Sequence, residues 1–267
     1  MTETSQPTVS IVGSANGTQA INRTLAVLEL FRDLGRDLGI SEIASSLGLS
    51  VSTVHRLVRA LVDRGYVSQN ATSDRYYLGR SAVLLGQAAM QGLGLHQARS
   101  VLERLGEETG ESVNMGVRDG NEMVVVVHQE SQQPLRFSQP PGSRLPVHAT
   151  SMGKATLAFG ESIRAEVEAL EKPLRPLTAN TIVSAKALRE ELESIRRRGF
   201  SIDDEEAIPG VRCVAAPILS SARLPFAAVA IQGPSVRMTP PRLKKLGPVV
   251  REAAEELAHL VPTSRHL

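Results

Sequence analysis

SEIASSLGLSVSTVHRLVRALVDRGYV, residues 41–67, decides how this chain reads. Ser41 can cap a short helix, Glu42 to Leu47, that turns Ile43, Ala44 and Leu47 inward, and Gly48 ends it. Gly48-Leu49-Ser50 is a tight turn. Ser50 can cap the next helix, 51–64, with Thr53 in its first turn. Val54, Leu57, Val58 and Leu61 make one apolar stripe of that helix. Ser52, Arg56, Arg59 and Asp63 fall on the opposite face, at helical spacings. Gly65 stops it.

Outward from this core the pattern continues. Ile21, Leu25, Leu28, Phe31 and Leu34 predict a helix over 19–34, and residues 1–17, rich in Thr, Ser, Gly and Asn, read as a tail. Downstream, GYVSQ (65–69) and RYYLG (75–79) read as two short strands around the turn NATSD. Helix, helix, turn, helix and hairpin in that order make a winged helix-turn-helix over 18–79. Its third helix can place its N-terminal end in a DNA major groove about 12 Å wide. Ser50, Ser52, Thr53 and His55 are short enough to meet base edges or phosphates there; Arg56 and Arg59 reach either, and Arg75 at the hairpin base can lie beside the backbone. Residues 52–80 hold five arginines against two aspartates, a locally basic stretch that suits phosphate. The competing reading is a tri-helical unit that binds a protein.

The whole chain has 267 residues, enough for about two domains. Aromatics are 3% with no Trp, so the core must rest on Val, Leu, Ile and Ala. The single cysteine, Cys213, excludes an intrachain disulfide framework. No apolar run approaches the ~20 residues of a membrane span, and the N-terminus lacks the pattern of a signal peptide. These features predict a cytoplasmic protein that does not engage a membrane.

SAVLLGQAAMQG (81–92) predicts a helix that pairs with a second copy, in a linker over 80–94, with Gly92 and Gly94 as a hinge. The remainder, 95–267, mixes elements. LHQARSVLERLGEETG is an amphipathic helix; ESVNMGVRD and EMVVVVHQE are strands about a DGN turn. PLRFSQ (134–139) is a third candidate strand and PPGSRLP (140–146) a loop. ESIRAEVEAL and AKALREELESIRRRGF are helices, RCVAAPIL and FAAVAIQG buried strands. TPPRLKKLGPVVREAAEELAHL ends the fold as a helix capped by Thr239 and bent at Gly247-Pro248. The fold class is α+β, and this half is large enough to bury a pocket.

Within HATSMGKATLA (148–158), Ser151 and Lys154 stand as S-x-x-K, the spacing of a serine nucleophile and its activating lysine. The partner motifs S-D-N and K-T-G are absent from the chain, which argues against a catalytic dyad and against an enzyme. The helix start remains: free amides and the helix dipole favour a carboxylate. Lys154 either adds charge there or reaches solvent along its stem. On the plainest reading Ser151 is a cap and Met152 is core. The histidines show no ligand spacing, so no metal or other cofactor is expected. Cys213 reads equally as a buried small hydrophobe or a ligand contact, and Asp203 to Glu206 as a solvated turn.

QAINRTLAVLELF, SEIASSLGLSVSTVHRLVRALVDRGYV, RYYLG, GSRLPVHATSMGKATLA, GFSIDDEE, GVRCVAAPIL and SVRMTPPRL, in this order and over nearly everything after residue 18, resemble the IclR family of transcriptional regulators. The resemblance implies an N-terminal winged helix, a linker helix that helps dimerise, and a C-terminal GAF-like effector domain. It implies a ligand-responsive regulator, here read as a repressor of a metabolic operon. Partners would be a roughly palindromic double-stranded DNA operator, a small organic effector, and further copies in a homodimer or a dimer of dimers. Carried over residue by residue, the effector site would be Thr150, Ser151, Met152 and Gly153, with Asp203, Cys213, Ala230 and Gln232. Ala230 and Gln232 stand where carboxylate-binding members often carry serine, and Met152 is bulkier than is common there. These departures predict an effector less polar than, or shaped differently from, a small 2-oxo acid.

Overall fold

The computed structural model describes residues 16–170 and 172–261. The chain divides into two units, residues 1–89 and 90–267. Of the expected tail, only Asn16 and Gly17 are among the described residues, and both belong to the first helix rather than to a tail.

The first unit holds α1 (Asn16–Leu34), α2 (Ile40–Leu47), α3 (Val51–Asp63), β1 (Val67–Gln69), β2 (Tyr76–Leu78) and most of α4 (Arg80–Gly92). Its core joins Val27, Leu30 and Phe31 of α1 to Ile43 and Leu47 of α2 and to Val54, Val58 and Leu61 of α3. The stripe expected on α3 is the buried one. Ser50 caps α3 by accepting from the Thr53 amide at 3.3 Å. Ser41 does not cap α2. The helix begins two residues earlier, at Ile40, Gly39 takes the cap position, and the Glu42 carboxylate accepts the Gly39 amide at 2.9 Å. The hairpin β1–β2 is antiparallel, and Leu38 exchanges two backbone bonds with Tyr76, tying the wing to the α1–α2 connection.

In the second unit a six-stranded antiparallel sheet runs β5-β4-β3-β8-β7-β6. The strands are β3 (Ser112–Asp119), β4 (Glu122–Gln129), β5 (Arg144–Pro146), β6 (Ser201–Asp204), β7 (Val211–Leu219) and β8 (Pro225–Pro234). Side-chain alternation gives it two faces. Val214, Ala216 and Ile218 of β7 and Val229 and Ile231 of β8 pack with α5 (Leu95–Thr109) and α9 (Pro240–Leu260). Ala215, Ala228 and Ala230 pack with α6 (Ser151–Phe159), α7 (Ile163–Ala169) and α8 (Ala185–Arg198). The face under α6 is built of alanine, so this helix can lie close to the strands.

PLRFSQ is not a strand. The edge of β4 is taken by β5, in the stretch read as a loop, while residues 134–139 are held by side chains of β3. Ser112 Oγ donates to the Phe137 carbonyl at 2.8 Å, and Asn114 Nδ2 to Gln139 Oε1 at 3.2 Å. Thr239 occupies the N-cap of α9, but its side chain makes no capping bond; the helix starts on Pro240, whose missing N–H is harmless there. α9 runs on through Pro248. Pro248 withholds the donor that the Lys244 carbonyl would otherwise accept, on an exposed part of the helix.

Candidate DNA-reading helix and effector cavity

The exposed face of α3 carries Ser52, His55, Arg56 and Arg59, with Thr53 half-buried. His55, Arg56 and Arg59 have no side-chain partner among the described residues. Ser50 is spent as the cap and also lies 2.8 Å from the Thr53 hydroxyl and 3.1 Å from that of Ser52. Arg75 stands apart from the other residues expected to meet DNA. Its guanidinium donates twice to the Asp37 carbonyl, at 3.2 and 2.9 Å, and pairs with Glu42. It braces the wing against the start of α2, which leaves fewer of its donors for a phosphate. That use is invisible to helical spacing, because its partners lie more than thirty residues upstream.

The second cluster sits where α6 starts above the sheet. Cross-strand pairing sets Asp203 opposite Cys213 and Cys213 opposite Gln232, with Ala215 opposite Ala230 in the next row. Thr150 caps α6, its hydroxyl accepting the Gly153 amide at 3.1 Å. The amides of Ser151 and Met152 have no acceptor among the described residues. Thr150, Ser151, Met152, Asp203, Cys213, Ala230 and Gln232 all line one cavity of about 20 Å³. That is room for about one water molecule, so an organic ligand must displace a side chain. Met152 is the flexible one: its thioether rests against Gly116 of β3, where an added Cβ would lie 3.1 Å from the sulfur.

Gly153 does not line the cavity. Its amide is used by Thr150, and a Cβ there would fall 2.2 Å from the Val147 carbonyl oxygen. Glycine is required at this position for packing against the preceding loop. Phe137, Gln139, Met123 and Ile208 line the cavity and escaped sequence reasoning. Phe137 and Gln139 belong to the mispredicted strand.

Electrostatics distinguish this site from a solvated turn. Asp203 and Glu206 are buried, Glu205 is half-buried and Asp204 is exposed, so the four acids do not form one solvated turn. Lys154 is fully buried: its Nζ donates to the Ile202 carbonyl at 2.7 Å and pairs with Glu206. It neither reaches solvent nor lines the cavity. Burial pushes the Asp203 carboxyl up to about 7, against the opposing pull of Lys154 and of the Glu206 and Ala207 amides. Burial likewise raises Glu206, outweighing its ion pair. The Cys213 thiol, beside the Ser151 hydroxyl, is raised well above the ordinary value by burial, so it is no ready nucleophile. Gln232 Nε2 is buried with no acceptor among the described residues, a donor poised at the cavity. Among the described residues no cluster of acids, histidines and cysteine could hold a metal, and no helix is long and apolar enough to cross a membrane.

A winged helix whose third helix exposes arginines without a side-chain partner among the described residues, in one chain with an α+β unit that holds a lined cavity, defines a DNA-binding regulator with a sensing domain. The chain belongs to the IclR family: the model of the IclR helix-turn-helix domain matches residues 20–71 and that of the bacterial transcriptional regulator IclR C-terminal domain matches residues 87–259. It is therefore a transcriptional regulator rather than an enzyme. It is 36% identical to the HTH-type transcriptional regulator BhcR of Paracoccus denitrificans, over 91% of this chain and 88% of that protein. It is 34% identical to the transcriptional repressor IclR of Escherichia coli, over 94% and 93%. Among solved structures, Thermotoga maritima IclR superposes with a TM-score of 0.74 at 28% identity, over 91% of this chain and 98% of that one. An IclR homolog from Microbacterium hydrocarbonoxydans, complexed with 4-hydroxybenzoate, superposes with 0.79 at 26%, over 90% and 98%.

Proposed function

We propose that this protein represses a metabolic operon in the cytoplasm and releases it when a small organic acid enters the cavity beneath α6. DNA reading belongs to residues 18–79, with Ser52, Thr53, His55, Arg56 and Arg59 of α3 in the major groove and the wing beside the backbone. Residues 80–94 link this module to the effector domain, 95–267. Two copies, or two pairs of copies, would bind a roughly palindromic operator. Exposed apolar side chains on α1 (Ile21, Leu25) and α4 (Val83, Leu84, Leu85) suit such pairing. A ligand acts by favouring one arrangement of the assembly over another.

The observation that carries the effector reading is the set of unused donors converging on one cavity: two α6 amides and Gln232 Nε2. The amides suit a carboxylate, and the Gln232 amide a carbonyl or hydroxyl at the far end. The remaining lining is largely apolar, which favours a ring or branched body over a bare 2-oxo acid. Titration calorimetry of the full chain should show 4-hydroxybenzoate binding more tightly than pyruvate, and Gln232→Leu should weaken the former by about tenfold, the worth of a buried hydrogen bond. Tight pyruvate binding that Gln232→Leu abolishes would overturn this effector class.

Asp203 adds a proton linkage. Lys154, Glu206 and Cys213 surround it, and its carboxyl titrates near 7. Below that pH the neutral acid tolerates an anion beside it; above, two negative charges share the cavity. Effector affinity should therefore fall as pH rises through about 7, by up to tenfold per unit at full coupling. Asp203→Asn should flatten the profile between pH 6 and 8. A wild-type profile already flat over that range would remove Asp203 from the effector's surroundings.

A further inference from the structure

A larger groove, of about 420 Å³, lies at the opposite end of α6. Phe159, the last residue of α6, Leu219 of β7 and Ala254 and Ala258 of α9 give it apolar walls. Three arginines line it from three separate elements: Arg196 of α8, Arg223 of the β7–β8 turn and Arg251 of α9. Glu255 is the acid among its lining residues, and His259 adds a further basic side chain.

Arg196 has an evident structural use. Its Nε and Nη2 donate to the carbonyls of Ala158 and Gly160, groups that the end of α6 leaves unbonded. The other two do not. Arg223 has no side-chain partner among the described residues. Among the described residues Arg251 reaches only Glu255, at 3.8 Å, and its stem crosses Gly199, where an added Cβ would lie 3.1 Å from the Arg251 Cδ. Arg223 also holds a φ of +63°, in the left-handed region that favours glycine. Turn geometry alone would select against an arginine there, so its presence is better explained by the guanidinium it offers the groove.

We propose that this groove is a second ligand site, which takes a small phosphate monoester. The guanidinium forks supply paired donors for phosphate oxygens, and the apolar walls accept the carbon body. A ligand drawing on Arg196 shares that guanidinium with the carbonyls that end α6. Its occupancy therefore bears on the helix whose other end forms the effector cavity, and offers a second metabolic input to the same regulator.

Phenyl phosphate, titrated into the full chain in phosphate-free buffer, is the probe. Saturable binding with a Kd on the order of 1 mM or tighter is expected, tighter than for inorganic phosphate because of the apolar walls. Arg223→Gly should weaken it about tenfold while leaving the melting temperature unchanged or raised, since glycine accepts the turn's φ. Arg251→Gln, which keeps much of the stem over Gly199, should weaken it similarly. Gln232→Leu, in the effector cavity, should leave it intact. The proposal is overturned by the absence of saturable binding. It is equally overturned by binding that survives both arginine variants, or that is lost in Gln232→Leu, which would place the phosphate on α3 or in the effector cavity.

Discussion

Replacing Lys154 by alanine should lower the unfolding free energy by about 3–5 kcal/mol, the cost of removing one partner of a buried ion pair. Lys154 has no exposed surface, and Glu206 beside it is nearly as deep. Glu206 Oε2 has no partner among the described residues, so losing the ammonium leaves a buried carboxyl with no compensating charge. The folded state would then hold a proton on Glu206, and the variant should lose stability more steeply as pH rises above the ordinary carboxylate range. Lys154→Met with Glu206→Leu replaces the pair by apolar groups of similar reach, and should recover most of the loss. Urea denaturation of the three proteins measures this directly. A Lys154→Ala protein within about 1 kcal/mol of the parent would show that the pair is not buried in solution.

The second large effect concerns α3. Arg56→Ala with Arg59→Ala should weaken operator binding by a dimer at least a hundredfold, from about 1–3 kcal/mol for each of the four arginines, two per copy, that reach a base edge or phosphate. Neither side chain has a partner among the described residues, so the fold should melt as the parent does. If both meet phosphates in each of two copies, the slope of log affinity against log salt should become shallower by about 4. Arg75→Ala should behave differently. Its guanidinium braces the wing through Asp37 and Glu42, so it should lower stability as well as affinity. Anisotropy titrations with an operator recovered by selection from random duplexes would distinguish the two behaviours. Unchanged affinity in the Arg56, Arg59 double variant would remove α3 from the DNA.

The DNA-binding half was legible because its determinants are local. Glycine stops, serine caps and a stripe at helical spacing place α2, α3 and the wing within a residue or two, and Ser50 caps α3 as read. The exposed face of α3 follows from the buried one by exclusion. The alternation Ala228, Ala230, Gln232 on β8 was readable for the same reason, since a strand's period of two assigns faces without knowledge of its neighbours.

What the residues alone determined is the family, the order of the two halves, the face of the reading helix and the start of α6 as a donor-rich turn. Tertiary structure decided the rest. Lys154 and Glu206 lie fifty-two residues apart, and Asp203 meets Cys213 and Gln232 only through strand pairing. Gly153 proved a packing position because Val147 approaches it, and the edge beside β4 went to Arg144–Pro146 rather than to PLRFSQ because β3 side chains hold that segment. Periodicity records which face of an element avoids water. It carries no record of which distant group comes to lie against that face, and burial of a charge depends wholly on that neighbour.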